Sequence, residues 1–441
     1  MYLLPKVLSK AIRKGRLTLH GPGGETHVFG AEPGPEVTIR VHDASFDWKI
    51  ALNPELRAAE AFMDGVLTVE DGPEGGSAWD LLEIFFLNKR EFDLSPGQIA
   101  IKAWEKAIRR ALQHNRLAQS RRNVAHHYDL GNDFYRKWLC GDMQYSCAYY
   151  PSGDETLEEA QLLKKRHIAA KLRVEPGMKV LDIGCGWGGL GLYLAAVTGA
   201  EVTGVTLSTE QLAIARARAE AAGLSDRCRF ELIDYREVEG SFDRVVSVGM
   251  LEHVGVGHLQ EYFLKVRDRL APEGLALIHS ISTKAPPGIT GPFLRKYIFP
   301  GGYAPSGSEA MLAVERSGLW MLDTEVWRVH YATTLRDWRM RFQAVRPEVE
   351  AMYDERFARM FEFYLAACDG AFRYGSSNVM QWMLGRERDA APLHRNWIAP
   401  RSARLAAREA ETDAVARIEA ATRAAFGEAE APGGAGLRVV S

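Results

Sequence analysis

The spacing of apolar positions changes period along the 441 residues, and the changes divide the chain. Between residues 16 and 70, short apolar runs broken by Gly, Pro and Asp predict strands and turns: "RLTLHGPGGETHVFG", "EVTIRVHD" and "FDWKIAL". Helical spacing appears in "PELRAAEAFMDG" and "AWDLLEIFFLNKR". Together they predict a small α+β domain over residues 1–90. A basic helical connector over 91–122 follows, and "SGDETLEEAQLLKKRHIAAKLRV" predicts a charged amphipathic helix feeding the next domain.

From Met178 the pattern alternates. "KVLDIG", "EVTGVTLS", "CRFELIDY", "FDRVVSVGM" and "LALIHSIS" predict strands, and "LGLYLAAVTG" and "TEQLAIARARAEAAG" predict helices between them. Such alternation predicts a mostly parallel, doubly wound α/β sheet, here within a domain over 123–390. The Gly/Pro-rich stretch between Ser282 and Leu319 is long enough for a lid or a substrate channel. Residues 391–441, Ala-rich and polar, predict a peripheral helix with a frayed end.

Composition adds limits. The net charge of −2 hides basic stretches: residues 1–19 carry five Lys or Arg and no acid, and Lys102–Arg122 carries seven bases and one acid. Solvated helix faces look like this, and so do segments drawn to an anionic membrane. The five cysteines form no CxxC pair and no Cys/His cluster of metal spacing, so no metal site is expected. The N-terminus lacks a secretory h-region, and no apolar run approaches the ~20 residues that span a bilayer. A cytoplasmic protein with reduced thiols is expected, with no nucleic-acid partner.

"LDIGCGWGG" places Gly184, Gly186 and Gly189 in a GxGxxG pattern between a strand and a helix, where glycine permits close backbone approach to a ligand. By itself the pattern fits a tight structural turn, a dinucleotide or S-adenosylmethionine. Asp182 ends the strand before the glycines, and the second strand lacks a terminal acid for a ribose; both favour S-adenosylmethionine over NAD. Thr206, Ser208 and Gln211 follow the second strand as polar candidates. Asp234 and Tyr235 follow the third, an acid and an aromatic suited to an adenine. All fall where open α/β sheets bind ligands.

Further residues gather at strand ends: Glu252 and His253 in "GMLEHVG", His279 in "LIHSIS" and Tyr331 in "VHYATTL". Upstream, "MQYSCAYY" sets Cys147 among tyrosines. A lone cysteine is more often a small buried hydrophobe than a nucleophile or a ligand, and a strand-end histidine is more often structural than catalytic.

The motifs "HHYDLGNDFYRKWL…MQYSCAYY", "VLDIGCGWGG", "GVTLSTEQ", "MLEHVG", "HSIS", "RKYIFPGG" and "YDERFARMFEFYLAACDGAFR" resemble the cyclopropane fatty acid synthases, in family order from about residue 120 to 375. The N-terminal part resembles that of the longer bacterial members. The resemblance implies a Rossmann-like class I S-adenosylmethionine-dependent methyltransferase domain. It further implies methylene transfer to a cis double bond of an unsaturated phospholipid acyl chain, giving a cyclopropane ring. An alkene attacks the methyl group without a base and leaves a carbocation. Aromatic faces stabilise such a cation, and the site must not offer it a nucleophile. In the family a bicarbonate ion takes the proton, held by groups matching Cys147, Glu252, His279, Ile281 and Tyr331. Cys368 matches a cysteine flagged as a possible nucleophile, for which this chemistry has no step. Tyr145, Ser146, Cys185 and Leu207 join the residues above on the S-adenosylmethionine side. A homodimer peripheral on the inner face of an anionic membrane, bound through the N-terminal domain, is the implied assembly. Three alternatives stay open: a methylene- or methyl-branched product from the same cation, a methyltransferase acting on another unsaturated lipid or on a small molecule, and a non-catalytic lipid-binding protein on a degenerate methyltransferase fold.

Overall fold

Residues 1–93 and 130–427 are described by the computed structural model. Nearly all of the expected basic connector, and the "HHYD" motif, lie outside them.

The N-terminal part is a four-stranded sheet in the order β2-β1-β3-β4, made of Lys14–His20, Thr26–Phe29, Glu32–Val41 and Leu67–Asp71. Leu17, Leu19, Val37, Ile39 and Val41 alternate inward along β1 and β3, as the period of a strand requires, and meet Leu4, Leu8 and Ile84 from flanking helices. One expectation fails here. "FDWKIAL" is a helix, Phe46–Leu52, not a strand. The Asp43 carboxylate accepts from the Ser45 amide at 2.8 Å and from its hydroxyl, which starts a turn. Phe46 and Ile50, four residues apart, then face the core together while Trp48 points to solvent.

The second sheet has seven strands in the order β10-β11-β9-β8-β5-β6-β7. β5 (Lys179–Ile183), β6 (Glu201–Thr206), β7 (Cys228–Leu232), β8 (Phe242–Val248) and β9 (Leu270–Thr283) pair in parallel. β11 (Ser377–Gly385) runs antiparallel between β9 and β10 (Trp320–Trp327). β5 is buried over Val180–Ile183, as a strand covered on both faces should be. The expected doubly wound sheet is therefore present, and the ends of β5 to β9 share one edge.

Three segments frame that edge. The stretch after β9 crosses above it, anchored where Lys296 and Tyr297 both donate to Glu60 of the N-terminal helix Pro54–Met63. Helices His330–Met352 and Glu355–Arg373 pack as a pair beside it. The N-terminal part docks on this pair: the Ala78 amide donates to Glu362 Oε1 at 2.8 Å, and Trp79 lies beneath the Arg339 and Arg373 guanidiniums.

Where a single peripheral helix is expected after residue 391, there are two packed ones, Ile398–Thr412 and Ala414–Ala425. Leu405, Ile418 and Ala421 join the core beside β5 and β6. Residues 428–441 lie outside the described part.

Candidate functional site

A pocket opens at the carboxyl ends of β5, β6, β7 and β8. Its floor is the loop from Ile183 to Gly189. Gly186 has φ +55°, and a Cβ built there would meet no protein atom within 4 Å, so this backbone faces the open pocket. Gly189 is small for a different reason. A Cβ on it would fall 2.3 Å from Gln144 Nε2, which approaches from the loop 140–146.

Asp182 stands at the end of β5 with Oδ2 buried and unpartnered, and burial raises its carboxyl to about 7. Of the residues singled out from sequence, Tyr145, Ser146, Gly184, Cys185, Thr206, Leu207, Gln211, Asp234 and Tyr235 line the same pocket. Ser208 does not line it: its hydroxyl accepts from the Gln211 amide at 3.2 Å and caps the helix Thr209–Ala221. Asp234 already accepts two bonds of 2.8 Å from Arg236, itself a lining residue, so only its remaining lone pairs face a ligand. The Cys185 thiol is buried and pushed well above its usual range, so it contributes surface rather than a thiolate.

Some lining residues were not singled out from sequence. Lys164 is buried on the helix Leu157–Lys171 and reaches the loop 144–146. A signal existed: Leu157, Ala160, Gln161, Lys164, Ile168 and Lys171 fall on one helical stripe, which sets lysines where apolar residues belong. Trp187 and Gln144 also line the pocket. His253, noted at a strand end, lines it too, and burial lowers its imidazole to about 4.

Next to the pocket lies the second predicted set. Glu252 Oε1 accepts from the Ile281 amide at 2.6 Å, while Oε2 is buried without a partner. Desolvation raises its carboxyl to about 7. His279 and Ile281, two apart on β9, share a face of the strand. His279 is held by Gln381, directly opposite on β11, and stacks edge-on against Trp327 at 5.0 Å. Burial drives its imidazole well below the usual range, so it is neutral. Cys147 is 1% exposed, and burial pushes its thiol up. Thr334 and His330 hold its neighbours Ala148 and Tyr150 through their amides. Cys147, Ile281, Tyr331 and Cys368 all border one aromatic cluster. In it the Tyr145 and Tyr364 hydroxyls share a 2.7 Å hydrogen bond, Tyr331 meets Trp338 at 5.8 Å, and Phe299 from the crossing segment meets Tyr364 at 5.7 Å. Burial raises the Cys368 thiol to about 12, which removes it as a nucleophile near neutral pH.

The geometry is a largely apolar pocket with a glycine floor and a few placed polar groups, opening beside a buried aromatic cluster, with one half-satisfied carboxylate nearby and no activated thiol. S-adenosylmethionine fits the pocket on two observations, the unpartnered Asp182 Oδ2 and the open space at Gly186. A bicarbonate ion fits less directly, because the Ile281 amide expected to contact it is engaged by Glu252.

Residues 115–382 match the family described as mycolic acid cyclopropane synthetase. A cyclopropane-fatty-acyl-phospholipid synthase of Escherichia coli (strain K12) is 45% identical over 260 residues, which cover 59% of this chain and 66% of that protein, just under two thirds of its length. A probable fatty acid methyltransferase of Pseudomonas putida is 36% identical over 362 residues, covering 80% of this chain and 88% of that one. Among solved structures, the mycolic acid cyclopropane synthase CmaA1 complexed with SAH and CTAB superposes with a TM-score of 0.56 at 30% identity, covering 60% of this chain and 97% of that one. The fold is that of the class I S-adenosylmethionine-dependent methyltransferases, as the strand order and the glycine loop indicate.

Proposed function

The chain belongs to the mycolic acid cyclopropane synthetase family, and from that premise we propose that it transfers a methylene from S-adenosylmethionine to the cis double bond of an unsaturated phospholipid acyl chain, forming a cyclopropane ring. The observation that carries this reading is the pairing of a donor-type pocket with a buried cluster rich in aromatic faces and poor in nucleophiles, which on this reading walls the acyl chamber. A donor bound over Gly184–Gly189 supplies an electrophilic methyl group. The alkene's π electrons form the new C–C bond as the S–CH3 bond breaks. The positive charge left on the acyl chain is stabilised by ring faces such as Tyr145, Tyr331 and Tyr364, at about 2 kcal/mol or more per desolvated contact. Cys147 and Cys368, both held protonated, do not trap it. Loss of a proton from the new methyl group then closes the ring.

Glu252, with an unpartnered Oε2 and a carboxyl near 7, would seat the proton acceptor. A bicarbonate ion bound beside it would supply that base, sharing a proton with Glu252 so that two anions need not face each other. Neutral His279 can offer one N–H to the ion, while Cys147 and Tyr331 border its place. The same reading places the protein at the surface of an anionic membrane as a homodimer, with residues 1–90 as the contact. Among the described residues no helix is long and apolar enough to cross a membrane; on this reading the acyl chain reaches the chamber from the membrane surface.

A second reading has its own support. The relative from Pseudomonas putida carries the description "probable fatty acid methyltransferase", and the same cation yields a methylene or methyl branch if a different proton leaves. The deciding experiment supplies purified protein with methyl-labelled S-adenosylmethionine and vesicles of monounsaturated phospholipid. Label in the lipid with a cyclopropane ring by NMR is expected. A branched product selects the second reading, and unlabelled lipid overturns both.

A further inference from the structure

The helix Leu157–Lys171 carries three buried lysines, and two of them have carboxylate partners. Lys165 donates to Asp142 at 2.5 Å, and Lys171 lies 2.9 Å from Glu325 and 3.6 Å from Asp323. Lys164 differs. Its Nζ donates to Gln144 Oε1 at 2.9 Å and to Ser146 Oγ at 2.7 Å, both neutral oxygens. Among the described residues it has no carboxylate oxygen within 4 Å, although it is only 1% exposed. An ammonium buried among neutral groups is costly unless an anion joins it. Desolvation accordingly lowers it to about 8.

Lys164 lines the pocket that also holds Asp182, whose Oδ2 is buried and unpartnered. Beside the mutually bonded Asp234 and Arg236, the pocket thus contains one cation and one carboxylate that are incompletely paired. That arrangement matches a zwitterion, and the α-amino-acid end of S-adenosylmethionine is one.

We infer that Lys164 binds the carboxylate of the donor's methionine moiety, through the ammonium donor that Gln144 and Ser146 leave over, while these two oxygens fix the direction in which it points. Lys164 is then a recognition residue for the donor, and it ties the loop 144–146 to donor binding. This rests on the reading of the pocket as an S-adenosylmethionine site.

Decarboxylated S-adenosylmethionine, in which hydrogen replaces the carboxylate, separates the charge contact from everything else in the pocket. Calorimetry on the full-length wild type should show S-adenosylmethionine binding about 10- to 100-fold more tightly than the decarboxylated form, the range of a charge-assisted hydrogen bond in a dry site. Lys164→Gln should lose most of its affinity for S-adenosylmethionine and little for the decarboxylated form, collapsing the ratio to a few-fold. Lys164→Arg, which keeps the charge, should retain the preference. A variant that loses both ligands equally while melting at the wild-type temperature overturns the inference, since Lys164 then only supports the loop. A wild type that binds both ligands equally overturns it without any variant. A wild type that binds neither removes the donor-pocket reading itself.

Discussion

Glu252 is a carboxylate held where its charge is disfavoured. Burial raises it from an ordinary 4.5 to about 7, and one oxygen has no partner. The consequence for stability has a definite sign. Between pH ~4.5 and ~7 the folded protein keeps a proton that the unfolded chain has lost, so this group's contribution falls as pH rises through that window and then levels off. Glu252→Gln removes the titration. Its stability relative to wild type should improve by about 2–3 kcal/mol between pH 4 and pH 8, read from urea unfolding at the two values. The amide can still accept from Ile281, so any cost of its new N–H is a constant offset. Turnover should fall sharply in the same variant while S-adenosylmethionine affinity holds, because the carboxylate's proposed place is beside the departing proton. A stability gap that does not move with pH would show that Glu252 is ionised when folded. At this scale the sequence showed which residue types stood at strand ends. It did not show that Asp234 is engaged by Arg236 or that Ser208 caps a helix, because both depend on where a neighbouring side chain turns.

At the scale of elements, the parallel sheet was legible because short apolar strands and helical stretches alternate at regular intervals from Met178 onward. Two elements were read differently, for identifiable reasons. Phe46–Leu52 has apolar residues at every second position, a strand-like pattern, but a side-chain turn at Asp43 starts a helix. The Ala-rich end looks solvated because alanine and charged residues dominate it; its few large apolar residues are spaced to meet the core. The helix Ile398–Thr412 adds a polar anchor. Glu409 accepts from Tyr193 at 2.5 Å and from both Nε and Nη2 of Arg166, and it is 7% exposed. Breaking a buried pair leaves an uncompensated charge, so Glu409→Ala should cost about 3 kcal/mol, the low end for such pairs because Arg166 keeps some access to water. A merely peripheral helix would lose about 0–1 kcal/mol. Thermal melts of the two proteins separate these outcomes. They also decide whether the end of the chain belongs to the methyltransferase fold or only accompanies it.

At the scale of the whole molecule, the proposed phospholipid substrate raises a question of access, since its double bond would lie within a bilayer and the proposed chamber lies inside a protein with no spanning helix among its described residues. The N-terminal part is the proposed membrane contact, and its surface has features that suit such a role. Helix Leu3–Ala11 buries Leu4, Leu8 and Ala11 and leaves Leu3 and Val7 on its outer stripe. The amides of Tyr2, Leu3 and Leu4 all donate to Asp47, which brings Trp48 alongside. Tyr2, Val7 and Trp48 are 65%, 51% and 54% exposed, and Lys6, Lys10 and Lys49 stand among them. Exposed aromatic and aliphatic groups flanked by lysines are what an interfacial membrane contact requires: apolar surface enters the headgroup boundary while the ammonium groups meet anionic lipid. The contacts of Trp79 and Glu362 fix this part on the helices that carry Tyr331 and Cys368, so a vesicle bound here is held at a set position relative to the chamber. Sedimentation with vesicles of anionic phospholipid should therefore respond in two separable ways. Val7→Ser with Trp48→Ser should weaken binding at every salt concentration, because it removes apolar area. Lys6→Gln with Lys10→Gln should weaken it mainly at low salt, because exposed charges are screened within ~8–10 Å at physiological ionic strength. Replacing Arg109, Arg110, Arg121 and Arg122 by Gln tests the basic stretch outside the described residues in the same assay. S-adenosylmethionine affinity should be unchanged throughout. Should both N-terminal pairs bind vesicles like wild type while the four-arginine variant does not, the membrane contact lies in the connector, and the apolar stripe on the first helix serves another purpose.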